Sequence, residues 1–286
     1  MDLKRMVLID GDVLCYHCGF AVEHNLHKVY VNGMEEHGSV ASFRYKKDLF
    51  EFMKDQEDLM SVVVEQELEP LSFCLYTVKR YIQRVLNETE ADDYLICLSP
   101  SKNFRHKIAT ILPYKGNRTS AKPTYIGEIK SYITDKYKTE LAVNIEADDL
   151  ISIRARECSR TADWLPVTAS IDKDLKQIPG DHYNTKTGEM SYVMPEEGTK
   201  LFYQQCLSGD TTDNIQGIPG MGPGKAKKFL EGKDTEKEMW EVVIEQYTIY
   251  ERKVDNSIKA EDRAIENARL VYIMHEFDEL WEPPQL

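Results

Sequence analysis

Carboxylates recur along the chain at points where strands and helices should begin or end. The candidate set comprises Asp10, Glu146, Asp148, Asp149, Asp172, Asp174, Asp210 and Asp213. Ionised acids cannot crowd into one cleft unless cations neutralise them. Hard oxygen ligands suit Mg²⁺ or Mn²⁺, and two such ions about 4 Å apart activate water and stabilise a leaving oxygen in phosphodiester hydrolysis. The residue types therefore predict a site with two divalent ions. The seven histidines show no zinc-site spacing, and no Ser-His-acid order is evident.

Two buried strands should carry the first and third acid groups. The apolar run Met6–Ile9 ends at Asp10, and Leu165–Ile171 ends at Asp172 and Asp174. Alternation along a strand places residues i and i+2 on one side, and α/β sheets bind ligands at the carboxyl ends of their strands. These acids are therefore expected at one edge of a sheet.

The second acid group should open a helix. Glu146, Asp148 and Asp149 precede an apolar pattern and occupy a first helical turn, where the helix dipole favours negative charge. The same letters occur at residues 90–93, but there they precede a strand. That copy should lie at the opposite end of the sheet, so we assign chemistry only to residues 146–149.

A turn rich in glycine and proline follows the last two acids. Asp210 and Asp213 are spaced as one helical turn, and a lysine-bearing helix is predicted to begin at Lys225. The glycines are Gly217, Gly220, Gly222 and Gly224, and the lysines are Lys225, Lys227 and Lys228. A glycine turn before a helix leaves backbone N–H groups open to a phosphate. The stretch 207–230 is therefore predicted to bind a nucleic-acid backbone. The alternative is an ordinary connection between two helices with lysines on its surface.

Basic and aromatic residues concentrate in one part of an otherwise acidic chain. The net charge is −13, yet residues 102–138 contain nine Lys or Arg and two acids. Candidate nucleic-acid contacts in this segment are Arg105, Lys115, Arg118, Lys122 and Tyr125. Lysines can follow a phosphate backbone while bases stack on aromatic rings. A solvated lysine surface is the alternative.

Three of these segments together resemble a known superfamily. The stretch 207–230, YKGNR at 114–118 and SIDKDLKQI at 170–178 are similar to the flap endonuclease and 5′-nuclease superfamily (PIN-like), and closest to tailed-phage 5′→3′ exonucleases. The resemblance runs from about residue 7 to about residue 281. It implies that the stretch 207–230 is a helix–three-turn–helix that binds duplex DNA, with a K⁺ ion at the turn. It also implies that Lys115 and Arg118 are catalytic residues that contact the scissile phosphate region, where a Lys charge and an Arg fork suit the charge that develops during cleavage.

The expected function is metal-dependent 5′→3′ exonuclease action on DNA, with RNA–DNA hybrids as a further substrate. A 5′ flap endonuclease of the same superfamily is the nearest rival, although the short basic segment at 119–140 favours action on ends. A haloacid-dehalogenase-like phosphatase using Asp10 and Asp12, or a non-catalytic DNA-binding protein, are alternatives of other classes. In many relatives an acid follows the second strand, whereas this chain has Ser99 there, which leaves one metal contact in doubt.

The expected architecture is α/β, with a mostly parallel central sheet flanked by helices. A nuclease core at 1–195 would contain an insertion at 21–70 and a basic arch region at 102–140, and residues 196–286 would form a helical DNA-binding lobe. Composition is that of a globular protein, with 42% apolar and 30% charged residues. Without an apolar membrane span or signal peptide, we expect a cytoplasmic monomer, in the host cytoplasm if phage-encoded. Cys15 and Cys18 form a C-x-x-C pair without a zinc-site partner pair.

Overall fold

A computed structural model describes residues 3–54, 59–253 and 259–285. Its strands are β1 (Lys4–Asp10), β2 (Glu23–Val31), β3 (Ala41–Phe43), β4 (Met60–Leu68), β5 (Asp93–Leu98), β6 (Thr139–Leu141), β7 (Trp164–Ser170), β8 (Gly180–Asn184), β9 (Met190–Val193), β10 (Gly209–Asp210) and β11 (Ile215–Gln216). Its helices are α1 (Gly11–Phe20), α2 (Lys46–Met53), α3 (Leu71–Glu88), α4 (Arg105–Ile108), α5 (Ile126–Lys136), α6 (Ala147–Ser159), α7 (Pro195–Ser208), α8 (Pro223–Phe229), α9 (Glu236–Glu251) and α10 (Ala260–Val271).

The chain divides into two compact units. The first contains residues up to 13, 83–121 and those from 136 onward, and the second contains 14–82 and 122–135. The predicted boundary at residue 195 does not appear, because the C-terminal helices belong to the same unit as the large sheet.

A six-stranded sheet organises the first unit. Its strand order is β6-β5-β1-β7-β8-β9, and every neighbouring pair is parallel except the β8–β9 hairpin. The prediction of a mostly parallel α/β sheet is confirmed. Strand β1 lies inside the sheet, with Val7 opposite Tyr94 of β5 and Val167 of β7. The carboxyl ends of β1 and β7 therefore reach the same edge, where Asp10 and Asp172 lie.

The second Glu-Ala-Asp-Asp motif, at residues 90–93, lies at the amino ends of the parallel strands. Asp92 precedes β5, and its carboxylate accepts the Arg5 N–H near the start of β1 at 2.8 Å. Asp93 is the first residue of β5 and pairs with Lys138 at 2.5 Å. These acids satisfy backbone and lysine groups at the amino ends of the strands, which agrees with their exclusion from the predicted site.

Helix α6 packs on β1, β5 and β7. Leu150 and Ile151 are buried in the apolar layer that contains Leu8. The helix begins with a capping box, in which Glu146 is the N-cap residue and Asp149 accepts the Glu146 N–H at 2.9 Å. Such reciprocal caps fix where a helix begins. The cap therefore sets the position of the acidic first turn at the carboxyl edge of the sheet.

The second unit contains an antiparallel sheet in the order β3-β2-β4. A helical pattern rich in acids runs from about residue 42 to about residue 67 and predicts helix there, but in the described part of this range only α2 is an α-helix. Strand β4 instead pairs with all of β2, from Val31 opposite Met60 to Glu23 opposite Leu68. The run Val62–Val64 explains the error, because branched side chains favour a strand while the surrounding acids resemble the polar face of a helix.

The C-terminal helices surround an apolar core that includes Phe202, Trp240 and Tyr247. Helix α8 begins at Pro223, two residues before the predicted start, because proline suits a first helical position. Helix α10 ends at Val271, whereas the sequence pattern that begins at Ala260 predicts helix as far as His275. Within the described residues, no helix is both long and apolar enough to cross a bilayer.

Candidate active site

An acidic cleft lies at the carboxyl edge of the large sheet. Five of the predicted acids line it, namely Glu146, Asp148, Asp174, Asp210 and Asp213. They come from the first turn of α6, the loop after β7, and the segment after α7. The fold thus brings together residues that are separated by up to 67 positions along the chain (213 − 146).

Asp10 adjoins this cleft and is held by its own strand–helix junction. One carboxylate oxygen accepts the Asp12 and Val13 N–H groups at 3.1 and 3.0 Å, and the other accepts the Ser170 hydroxyl at 2.7 Å. Burial, with repulsion from Asp12 and Asp172, raises the pKa of Asp10 to about 6 despite these hydrogen bonds. Burial and repulsion from Asp10 and Asp172 likewise raise the pKa of Asp148 well above its usual range. These acids repel one another, and a proton or a bound cation would relieve the repulsion.

Asp174 and Asp210 form the other part of the cluster. Burial, followed by repulsion from Asp172 and Asp210, raises the pKa of Asp174 to about 7. Asp172 lies in the bend after β7, beyond the end of the predicted strand, and accepts the Asp174 N–H at 2.9 Å. Asp210 and Asp213 are spaced as one helical turn but follow the helix, because α7 ends at Ser208. Asp210 is the last residue of β10, and Asp213 lies in the turn between β10 and β11.

On the opposite side of the cleft, two cations and a tyrosine hydroxyl contact the acids Glu146 and Asp213. The Tyr114 hydroxyl lies 2.7 Å from both Glu146 and Asp213, and Lys115 pairs with Glu146 and lies 3.6 Å from Asp213. Arg118 pairs with Asp213 at 2.6 Å and keeps half of its side chain exposed. Burial lowers the pKa of Lys115, but Glu146 and Asp213 outweigh this effect, so the lysine remains protonated. Positive charge is thus fixed beside the acids.

The backbone of this basic segment is locked to the turn at 211–214. The Lys115 N–H donates to the Asp213 carbonyl at 2.9 Å, and the Asn117 amide donates to the Thr211 carbonyl at 2.7 Å. Asn214 donates in return to the Pro113 carbonyl at 2.8 Å. Lys115 has φ +56°, a conformation that non-glycine residues seldom adopt. Such strain is retained where surrounding contacts determine the conformation.

Asp149 differs from the other predicted acids because all four of its lone-pair positions are occupied. Arg105 donates to its two oxygens at 2.6 and 2.8 Å, and the Glu146 and Met274 N–H groups donate at 2.9 and 3.0 Å. Asp149 is 0% exposed. A carboxylate has about four acceptor sites, so this one has no lone pair left for a cation. The geometry therefore does not support our expectation that Asp149 is a metal ligand.

Arg105 was expected to contact nucleic acid, and the structure corrects this. Its guanidinium is buried, with the residue 3% exposed, and also donates to the Leu270 and Tyr272 carbonyls at 2.9 and 2.6 Å. A side chain enclosed in this way cannot reach a phosphate. Nothing in the local sequence distinguishes Arg105 from the exposed basic residues around it, because its partners are far away along the chain.

The glycine-rich turn combines structural glycines with open ones. A Cβ on Gly217 would lie 2.1 Å from the Ser208 backbone, so close backbone packing requires glycine there, and Gly220 has φ +77°. Gly222 and Gly224 have negative or extended φ and nothing within 4 Å of an added Cβ. Neither packing nor conformation explains these two glycines. The lysines of α8 that follow are Lys225, Lys227 and Lys228, all exposed.

Lys122 and Tyr125, the remaining predicted contacts, belong to the second unit. Lys122 is exposed and Tyr125 is half-buried, immediately before α5. Ser99, at the place where an acid was anticipated, has a structural role in the first unit. Its hydroxyl accepts the Ala147 N–H at 2.8 Å, and its own N–H donates to Asp12 at 3.0 Å. Sequence reasoning did not anticipate this junction between α1 and α6.

The chemistry of the donor set fits a divalent cation. In the described part of the chain, no three His, Cys, Asp or Glu side chains converge as they stand on one point. The raised pKa values of Asp10, Asp148 and Asp174 nevertheless indicate negative charge that protein groups leave uncompensated. Hard oxygen donors and unneutralised charge are the conditions that favour Mg²⁺ or Mn²⁺. The residues present therefore fit such an ion.

These pKa shifts predict how stability depends on pH without metal. An acid whose pKa is higher in the folded than in the unfolded state loses folding free energy as pH rises between the two values. For Asp10 the rise in pKa from 3.8 to about 6 corresponds to about 3 kcal/mol, which is lost as the pH rises from about 4 to about 6. In chelator, Asp10→Asn should therefore lose less stability than the wild type over that interval in urea unfolding, and Mg²⁺ should reduce the difference. Parallel pH profiles for the two proteins would contradict the shift.

The molecule thus belongs to a structural class in which a mostly parallel sheet presents clustered acids at its carboxyl edge. No family model matches the chain. DNA polymerase I of Bacillus subtilis (strain 168) is 26% identical over 222 residues, covering 70% of this chain and 24% of that protein. The 5′-3′ exonuclease of Buchnera aphidicola subsp. Schizaphis graminum is 29% identical over 169 residues, covering 53% of this chain and 57% of that protein.

Solved structures give the same assignment of the fold. T5 5′-exonuclease with bound zinc ions aligns with a TM-score of 0.58 at 14% identity, covering 94% of this chain and 89% of that one. The bacteriophage T5 flap endonuclease in a pseudo-enzyme–product complex with DNA and metal ions has a TM-score of 0.58 at 15% identity and the same coverage. The chain is therefore similar in sequence to 5′-3′ exonucleases and in fold to the T5 nuclease structures. It spans about a quarter of the B. subtilis DNA polymerase I and about half of the Buchnera exonuclease.

Proposed function

We propose that the protein is a divalent-metal-dependent 5′→3′ exonuclease that hydrolyses DNA from its 5′ ends. The observation that carries the proposal is the convergence of acids from three separate segments on one cleft beside Lys115 and Arg118. The relatives described above, which include 5′-3′ exonucleases, support the same reaction class. RNA in RNA–DNA hybrids is a further substrate of the same chemistry.

Two Mg²⁺ or Mn²⁺ ions would be held by carboxylates that form no salt bridge with another described residue. These are Asp10, Asp148, Asp172, Asp174 and Asp210, with Glu146 and Asp213 acting through water. When bound, the ions lower the pKa of water and neutralise charge on the phosphate. We assign Asp149 to positioning this set through Arg105 instead of to metal binding.

The chain's own cations would orient the phosphate and stabilise its developing charge. Lys115 provides a compact charge and Arg118 a planar fork of donors, both beside the cleft. Their present partners, Glu146 and Asp213, hold them in place before substrate arrives. Fixed donors of this kind stabilise a transition state without reorganising during the reaction.

An exonuclease requires a free DNA end, and this requirement provides a test of the proposed function. Linear duplex DNA should release short products with Mg²⁺ and none with chelator, whereas covalently closed circular duplex should remain intact under the same conditions. Cleavage of both substrates at equal rates would show an endonuclease without end recognition. Absence of cleavage with both Mg²⁺ and Mn²⁺ would exclude a nuclease.

A 5′ flap endonuclease is the second candidate, favoured by the similarity to the T5 flap endonuclease structure and to the flap endonuclease Xni of Shewanella halifaxensis, which is 28% identical over 112 residues. A duplex whose 5′ flap carries a bulky terminal block separates the two activities. Cleavage at the flap junction despite the block would indicate the endonuclease. Cleavage of only the recessed, unblocked end would indicate the exonuclease.

The turn at 217–224 and the lysines of α8 would bind duplex DNA at a distance from the scissile phosphate. The open surroundings of Gly222 and Gly224, together with the exposed lysines, support this role. A K⁺ ion at the turn would complete the contact with the DNA backbone. The N–H groups of a glycine turn and the lysine charges both attract phosphate.

Removing the α8 lysines should weaken DNA binding in a salt-dependent manner. With Lys225, Lys227 and Lys228 changed to alanine, the slope of log affinity against log salt should fall by up to about 3, since each phosphate contact contributes roughly one unit. Fluorescence anisotropy with Ca²⁺ in place of Mg²⁺ measures binding. Lys237→Ala on the neighbouring helix is the matched control and should leave the slope unchanged. An unchanged slope in the triple variant would place the DNA elsewhere.

A further inference from the structure

The last two residues of α10 and the three residues after it connect to the acidic cleft by two separate routes. We call Leu270–Met274 the tether segment. The first route passes through Arg105, which donates to the Leu270 and Tyr272 carbonyls and to both oxygens of Asp149. The Met274 N–H also donates directly to Asp149 at 3.0 Å. This route ends on the residue that follows Asp148 in α6.

The second route passes through two buried glutamines. Gln177 donates its amide to the Val271 carbonyl at 2.8 Å, and its own carbonyl oxygen accepts the Ile273 N–H at 3.3 Å. Gln177 also donates to the Gln205 side-chain oxygen at 2.7 Å, and Gln205 donates to Asp174 at 2.7 Å. The route therefore ends on a carboxylate of the cleft.

The tether segment fixes the direction of this chain of hydrogen bonds. A backbone carbonyl can only accept and a backbone N–H can only donate, so Val271 and Ile273 determine which side of the Gln177 amide faces Gln205. Gln177 must present N–H, Gln205 must receive it through oxygen, and the Gln205 N–H then points at Asp174. Aligned amides polarise one another and strengthen the final bond.

From this arrangement we infer that Gln205 is a positioning residue for the metal site and that Gln177 and the tether segment support it. The inference rests on the proposed role of Asp174 as a metal ligand. An amide donor fixes the orientation of the Asp174 carboxylate next to Asp210, with which Asp174 also interacts. Outer partners of metal ligands commonly contribute about 10- to 100-fold to metal affinity.

The test compares Gln205→Met with Gln204→Met by isothermal titration of the DNA-free protein with Mg²⁺. Methionine keeps the length of the side chain but cannot donate to Asp174. Gln204 is the adjacent residue of α7 and provides the matched control. We expect Mg²⁺ affinity to fall about 10- to 100-fold in Gln205→Met and less than about threefold in the control. The Mg²⁺ concentration for half-maximal cleavage should rise in the same proportion, with the rate at saturating Mg²⁺ reduced much less.

Each outcome decides the inference. Equal Mg²⁺ affinity in Gln205→Met and wild type would overturn it, as would a wild type that binds no divalent ion. If Gln205→Met does not give a cooperative melt, Gln177→Met interrupts the same route one step earlier and is evaluated by the same titration. Metal binding that depends on Gln205 in a protein without cleavage activity would reject the proposed function while retaining the inference.

Discussion

Asp148→Asn should reduce Mg²⁺-dependent cleavage of 5′ ends by about three orders of magnitude or more. Asp148 lines the cleft and is repelled by Asp10 and Asp172, which places it within the acid cluster. Loss of one ligand to a catalytic cation removes several kcal/mol of transition-state stabilisation, and about 1.4 kcal/mol corresponds to a factor of ten. Single-turnover cleavage of a labelled duplex measures the effect. Duplex binding in Ca²⁺ should change little, since the α8 lysines are distant in sequence and unaltered.

The chain contains an unusually close control for this variant. Asp92 occupies the same place in the motif Glu-Ala-Asp-Asp at residues 90–93, but it lies at the amino end of the strands and accepts the Arg5 N–H. Asp92→Asn should cleave within about threefold of the wild-type rate, well below the tenfold effect of about 1.4 kcal/mol. Full turnover by Asp148→Asn, or equal losses in the two variants, would contradict the assignment of chemistry to residues 146–149.

Asp149→Asn should lower the melting temperature by about 10 °C, whether or not Mg²⁺ is present. The change leaves the Arg105 guanidinium buried without its bidentate partner. Breaking a buried ion pair from one side costs about 3–5 kcal/mol, and one kcal/mol shifts the melting temperature of a chain of this size by about 2–4 °C. Calorimetry of the metal-free protein measures the shift. Activity should fall as a consequence of this disorder at the start of α6.

A double substitution tests whether Asp149 acts as one half of a buried ion pair or as a metal ligand. Arg105→Met combined with Asp149→Leu removes both charges and should recover a substantial part of the lost stability, since well-packed apolar residues can replace a buried pair. Asp148→Asn supplies the contrast, because removing a repelled carboxylate should raise the melting temperature in chelator. An Asp149→Asn variant that is as stable as wild type and defective only with metal would restore Asp149 to the ligand set.

The sequence was sufficient for those features that local patterns determine. Strand β1 and the acid at its end follow from a short apolar run, and the start of α6 follows from a dipole-favoured acidic turn. Residues 90–93 could be excluded from the predicted acidic site because a strand, and not a helix, follows them. Each of these inferences uses interactions between residues that are close along the chain.

The features that sequence reasoning missed depend on distant partners. Arg105 looked like one more exposed cation, but its partners are Asp149 and the carbonyls of the tether segment. Gln205 sits in an amphipathic helix with no local sign that its amide reaches Asp174. Strand β4 was misjudged because pairing with β2, rather than helical periodicity, determines its conformation. Contacts of this kind become visible only once the chain is folded.

The most direct test of whether the acid cluster carries out hydrolysis from the 5′ end compares the products of 5′-labelled and 3′-labelled DNA. Recessed duplex is labelled at the 5′ end in one sample and at the 3′ end in another, and product lengths are followed over time with Mg²⁺. We expect immediate release of very short products from the 5′ label, progressive shortening of the 3′-labelled strand, and no reaction in chelator. Shortening that begins at the 3′ end, or release that is equally fast without divalent metal, would contradict it.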